Sequence, residues 1–71
     1  MTHPRTTHTR AMELDHDEAE ILLELLDHEL ADIPSEVRHT DRAVLRDALR
    51  ARAGHLRDLR DRLRHEFALA V

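Results

Sequence analysis

Histidine is the residue type in this sequence best suited to bind a metal ion, and the chain has seven of them in 71 residues. A helix presents two ligands to one ion when they lie three or four residues apart. Candidate pairs at that spacing include His16 with Glu20, His28 with Asp32, and Asp61 with His65. Each pair supplies only two ligands, and no two His share the spacing. We therefore expect no metal site and no cofactor.

Carboxylates that could act as general acids or bases are plentiful, but their positions favour a solvated helix face. The sequence has no Cys, only one Gly, and a single Phe as its only aromatic residue. These counts leave no thiol nucleophile, no Gly-rich phosphate loop and no aromatic platform on which a base could stack. We expect neither an enzyme nor a small-molecule substrate.

Arginine supplies all eleven basic residues, and it is concentrated in the second half of the chain. Residues 13–37 contain ten acids and no base, whereas residues 38–71 contain nine Arg against five acids. Attraction between the two halves explains this distribution without any ligand. The alternative is a nucleic-acid surface with candidate contacts at Arg42, Arg46, Arg50, Arg57 and Arg64. The net charge of −4 favours the first interpretation.

The composition is typical of long helices. Leu and Ala are abundant, 37% of residues are charged, and there are too few β-branched and aromatic residues for a sheet. We predict a disordered N-terminal arm over 1–12 and a helical hairpin over 13–71. Its helices are expected at about 16–39 and 42–68.

A capping box specifies the start of the first helix. Asp15 can accept from the backbone N–H of Glu18, whose carboxylate can reach back to the N–H of Asp15, while Leu14 and Ala19 flank the box. The apolar residues that follow recur at helical spacing, and they are Leu22, Leu26, Leu30, Ile33 and Val37.

Pro34 interrupts the first helix, because it cannot donate to the carbonyl of Leu30. A kink is favoured by the unbroken apolar register, and the alternative is a helix that stops and restarts. A turn follows at His39, Thr40 and Asp41, where Thr40 or Asp41 can cap the second helix.

The second helix carries its own apolar stripe, flanked by Ala53 and Leu59. Its members are Leu45, Leu49, Leu56, Leu63 and Phe67. Gly54 costs roughly 1 kcal/mol relative to Ala in a helix interior. It is expected at the surface, or alternatively at a close approach of two helices beside Ala51.

The two stripes match when the chain folds back on itself near Thr40. In an antiparallel pair the numbers of facing residues have a constant sum, and a sum near 82 pairs apolar with apolar in nearly every layer. These pairs are Val37 with Leu45, Ile33 with Leu49, Leu26 with Leu56, Leu23 with Leu59, and Ala19 with Leu63. Glu29 and Arg52 are the exception, and we expect them to pair and fix the register.

The first helix is apolar over more of its circumference than one partner helix can cover. If Leu22 and Leu26 face the second helix, Ile21 and Leu25 point elsewhere. Uncovered apolar strips of this kind mark protein contacts. We predict that two coiled-coil-like hairpins dimerise into a four-helix bundle through Ile21 and Leu25, or that a partner helix covers the same strip.

The location expected for this chain is the cytoplasm. It begins Met-Thr-His-Pro-Arg and contains no apolar stretch of the length that a signal peptide or a membrane span requires.

The stretch from Leu14 to Leu63 resembles a group of short bacterial helical-hairpin proteins. The similar segments are Asp-Glu-Ala-Glu-Ile-Leu-Leu-Glu-Leu-Leu-Asp-His-Glu-Leu, then Glu-Val-Arg-His-Thr-Asp, and Leu-Arg-Asp-Ala-Leu. Members of the group share an acidic Leu-rich first helix, a Thr-Asp turn and a charged second helix, whereas Pro34 departs from that pattern. The resemblance implies a fold and supplies no activity.

The function expected from the sequence is a non-enzymatic protein-interaction module, most simply a homodimer. The alternative is a small antitoxin-type regulator that binds a partner protein with its apolar face and nucleic acid with the second helix.

Overall fold

The computed structural model describes residues 9–69, which form two helices and no strand. Helix α1 spans His16–Arg38 and helix α2 spans Ala43–Phe67, and the two pack against each other. The predicted arm over 1–12 lies largely outside the described residues. Residues 9–12 belong to no helix and are exposed. Neither helix is long and apolar enough to cross a membrane.

Helix α1 begins at the predicted capping box. The N–H of Glu18 donates to Asp15 Oδ1 at 2.8 Å, and the N–H of Asp15 donates to Glu18 Oε1 at 3.0 Å. Leu14 packs against the apolar cluster that contains the buried Ala19. The box satisfies two of the backbone N–H groups that a helix start leaves without partners, so it fixes where α1 begins.

Helix α1 continues through Pro34 without interruption, and the alternative of a helix that stops and restarts there is wrong. Pro34 itself is exposed, while Ile33 beside it is only 3% exposed and Val37 one turn later is half-buried. Packing of these neighbours against α2 holds the helix together on both sides of the missing hydrogen bond.

The predicted cap of the second helix is wrong. Arg42 is the N-cap of α2, and its side chain makes no capping bond. The Thr40 hydroxyl instead donates back to the carbonyl of Glu36 and so closes the end of α1. Arg46 reaches back from α2 and donates from Nη1 to the carbonyls of Thr40 and Asp41, at 3.0 and 2.8 Å. A guanidinium therefore holds the turn where a side-chain cap was expected.

The C-terminal end of α2 also folds back on the hairpin. Ala68 has a left-handed backbone with φ 51°, and the N–H of Leu69 donates to the carbonyl of Arg64 at 3.0 Å. Leu69 then packs with Leu14 against the same apolar cluster. Leu14 and Leu69 thus close the end of the hairpin opposite the turn.

We use the name seam for the residues through which α1 and α2 meet. Its buried members among residues 9–69 are Ala19, Leu26, Ile33, Ala53 and Leu63, and the half-buried Leu56 packs against the cluster formed by Ala19, Leu26 and Leu63. Leu26 and Leu56 therefore lie in one cluster, as the antiparallel pairing requires. Two of the five buried residues are Ala, and no large side chain in the described region is completely buried.

The structure corrects the position of two apolar residues that the sequence placed in the stripes. Leu22 is 38% exposed and Leu45 is 46% exposed. Leu22 and Leu23 both have helical spacing from Ala19 and Leu26, but Leu23 is the half-buried one and takes the seam position instead of Leu22. Leu22 and Leu45 border the seam and remain open to solvent.

Gly54 lies within α2, and a Cβ added there would meet nothing within 4 Å. The close approach considered for this position is therefore absent. We predict that Gly54→Ala raises the stability of the folded chain by about 1 kcal/mol, because Ala loses less backbone entropy in a helix. Thermal unfolding at fixed protein concentration measures this as a rise of several degrees. A fall in the unfolding temperature would contradict the packing described for this position.

Candidate functional site

The seam divides the surface of the hairpin into two flanks. Asp27 directly follows the seam residue Leu26, and Glu29 lies three residues after it. At 3.6 residues per turn these two positions fall on opposite sides of Leu26, and so on opposite sides of the seam. Each makes its own contacts with α2. Arg52 Nε donates to Glu29 Oε2 at 3.1 Å, whereas Asp27 Oδ1 lies 3.7 Å from Arg60 Nη1 and 3.9 Å from Arg64 Nη2. We call the side with Glu29 the first flank and the side with Asp27 the second flank.

Residues seven positions apart on a helix share a face, because seven residues make about two turns. Leu22 lies seven residues before Glu29, and Leu45 and Leu59 lie seven residues on either side of Arg52. All three therefore belong to the first flank.

Leu25 lies one turn before Glu29, and Ile21 lies one turn before Leu25, so both continue the first flank around α1. We define the apolar face as these five residues: Ile21, Leu22, Leu25, Leu45 and Leu59.

The apolar face carries most of the large hydrophobic side chains that the described structure leaves exposed. Ile21 and Leu25 are 56% and 58% exposed, and Leu59 is 44% exposed. The sequence predicted Ile21 and Leu25 as the interface but missed Leu22, Leu45 and Leu59. The sequence does not reveal them because residues that border a seam and residues within it both recur every three or four positions along a helix.

Glu29 and Arg52 make the contact that the register requires, and they stand on the first flank among the leucines of the apolar face. Their side chains are 38% and 59% exposed, so the pair contributes only some tenths of a kcal/mol to stability. Its role in fixing the register stays a prediction.

The second flank is built differently. Pro34 lies seven residues after Asp27, and Arg57 and Arg50 lie seven and fourteen residues before Arg64. Near the turn this flank opens into a cleft of about 350 Å³, to which we give the name arginine cleft. Its lining residues are Leu30, Ile33, Pro34, Val37, Arg38, Arg50, Ala53 and Arg57.

Most of the arginines proposed as nucleic-acid contacts have partners within the chain. Arg46 donates to the turn carbonyls, Arg50 Nη1 lies 3.6 Å from Asp47 Oδ1, and Arg64 faces Asp27. Arg42 and Arg57 have no side-chain ion pair or hydrogen bond with residues 9–69. The pairing of Arg52, Arg60 and Arg64 with acids of α1 follows the attraction expected from the charge distribution. The regulator interpretation stays a prediction.

One cluster with metal-ligating atoms was only partly visible in the sequence. His16, Asp17 and Glu20 place one ligand atom each within 4.8 Å of one another, and His16 Nδ1 lies 3.8 Å from Glu20 Oε1. The sequence predicted the pair and missed Asp17, which directly follows His16. All three side chains are exposed at the start of α1, where acids stabilise the helix dipole without any ion. The cluster alone does not make a metal site.

In comparisons with known proteins, no family model, curated protein or solved structure matches the chain.

We predict that the contact between Glu29 and Arg52 is measurable as an interaction between the effects of the two substitutions on the free energy of unfolding. Glu29→Arg and Arg52→Glu should each lower the free energy of unfolding by up to about 1 kcal/mol, because each puts like charges side by side. The double variant, which restores an opposite pair, should recover most of the loss. Chemical denaturation of the four proteins measures this. Strictly additive losses would show that the two side chains do not interact across the seam.

Proposed function

We propose that the chain is a non-enzymatic helical-hairpin interaction module that self-associates, most simply as a homodimer of two hairpins in a four-helix bundle. The observation that carries the proposal is the apolar face. A two-helix layer has one seam, and apolar side chains outside it can be buried only against another molecule.

The small core of the hairpin supports the proposal. The five buried residues among 9–69 include two Ala, and a chain of this size gains little stability from one such core. Small domains compensate with disulfides, metals or association. Because the chain has no Cys, association is the compensation that its composition favours.

The chemistry of the apolar face also suits self-association. Ile21, Leu22, Leu25 and Leu59 gather toward the end of the hairpin opposite the turn, while Leu45 lies near the turn. Between them stands one acid and one base, Glu29 and Arg52. A two-fold axis brings identical surfaces together, and a surface with both signs of charge can complement its own copy.

We predict that Ile21→Gln with Leu25→Gln converts the dimer into a monomer at micromolar concentration. Gln removes the apolar contact but keeps a high helix propensity and adds no charge to the acidic helix α1. Light scattering coupled to gel filtration gives the mass, and circular dichroism shows whether the variant is folded or has lost its structure together with its partner.

The matched control is Ala31→Gln with Ser35→Gln. These two residues are also exposed and lie four apart on α1, like Ile21 and Leu25, but they lie on the side of α1 that carries Pro34, away from the apolar face. The control should keep the mass of the parent protein. A monomeric parent, or a dimer that survives the Ile21 and Leu25 changes, would overturn the proposal.

A further inference from the structure

We propose that the arginine cleft binds an acidic amphipathic helix of a partner protein, in addition to the self-association proposed for the apolar face. The partner helix would place an apolar stripe on the floor of the cleft and its Asp or Glu residues against the guanidinium groups at the rim. This is helix-in-groove recognition, in which residues spaced three and four apart anchor the bound helix.

The floor of the cleft is apolar and its rim is basic. Leu30, Val37 and Pro34 line it from α1, and no carboxylate is among its lining residues. Arg38 lines the cleft from the end of α1. Arg50 and Arg57 line it from α2, where they lie two turns apart. An occupant therefore has to bring both an apolar surface and negative charge.

The absence of an acid in the cleft has a specific cause on α1. Residues of α1 on the second flank recur every seven positions, and these are Glu20, Asp27 and Pro34. Asp27 faces Arg60 and Arg64, but the next position toward the turn is Pro34, which carries no charge. Arg57 is thus left without an acidic partner among residues 9–69, although α1 is the acidic half of the hairpin.

The remainder of the second flank balances its own charges. Arg60 and Arg64 share the carboxylate of Asp27, Arg60 Nε also lies 3.6 Å from Asp61 Oδ1, and the Nε atoms of both arginines are buried. The acids Glu20 and Asp27 stand on that part of the flank. The preference for an acidic occupant therefore comes from the arginines that line the cleft itself, where no carboxylate faces them from α1.

A helix fits this cleft better than a small molecule or a nucleic acid. The cleft is open along one side, whereas pockets for small ligands bury most of the ligand surface. Nucleic-acid backbones offer phosphates but no apolar stripe to cover the floor. The cleft also lies on the opposite flank from the apolar face, so a homodimer formed through that face leaves it accessible.

The test uses the full-length protein and a fluorescein-labelled synthetic peptide of about 18 residues, long enough to form a helix. The peptide carries Leu at alternating spacings of three and four, with Glu and Ala elsewhere. A second peptide has every Glu replaced by Lys. Fluorescence polarisation should show saturable binding of the Glu peptide, weakening as salt is raised, and at least tenfold weaker binding of the Lys peptide.

The variants Arg57→Glu and Arg50→Glu locate the site. Each should weaken binding of the Glu peptide roughly 5- to 30-fold, since an attractive rim charge becomes repulsive. Arg62→Glu is the matched control, because it makes the same charge change on α2 at a residue that is exposed like Arg50 and Arg57 but lies outside the cleft. It should alter the affinity less than about twofold.

Several results would overturn the proposal. Equal loss of affinity in Arg62→Glu would show attraction to the whole of α2, and equal binding of both peptides would show that charge does not select the ligand. A labelled DNA duplex that binds through Arg57 while the Glu peptide does not would assign the cleft to nucleic acid. Conversion of the dimer into a monomer by Arg57→Glu would assign it to a second copy.

The variant Ile21→Gln with Leu25→Gln separates this inference from the proposed function. If it remains folded, it should bind the Glu peptide with unchanged affinity whether or not the parent protein dimerises.

Discussion

The contact on which the rest of the structure depends is the seam, in which the small Ala19 and Ala53 allow α1 and α2 to approach while Leu26, Ile33 and Leu63 fill the space between them. No other contact joins the two helices with comparable burial in the described region. The ion pairs of Asp27 and Glu29 lie beside it and are partly exposed, so they add specificity more than stability. Without the seam neither flank would exist.

The two flanks that the seam creates differ in chemistry, and this difference is the basis for both proposed interactions. Leucines crowd the first flank because the α1 sequence runs Ile-Leu-Leu-Glu-Leu-Leu over 21–26, which is more than one helix interface can bury. The second flank loses its acidic partner at Pro34 and becomes apolar and basic there. A chain with one thin core thus carries two surfaces of different chemistry, to which we assign the two proposed partners, its own copy and an acidic helix.

Much of this fold could be predicted from the sequence, because its strongest signals are local or periodic. The capping box of Asp15 and Glu18 needs only neighbouring residues, and the pairing of Leu26 with Leu56 follows from two stripes and a turn. The cap at Thr40 could not be predicted, since the same hydroxyl can serve the end of one helix or the start of the next.

The candidate sites were harder to predict than the fold. Leu22 and Leu23 both fit a helical stripe, and only the packed pair of helices shows which of them is covered. The arginine cleft depends on three arginines from two helices and on the lack of an acid at Pro34, which no single motif reveals.

The claim that the two Leu-rich stripes touch within one molecule is tested most directly by nuclear Overhauser effects between the methyl groups of Leu26 and Leu56. In a sample that mixes isotope-labelled and unlabelled chains, spectra can separate contacts within a chain from contacts between chains. The structure predicts Leu26–Leu56 effects within the labelled chain. Effects seen only between labelled and unlabelled chains, as in two extended rods lying side by side, would contradict it.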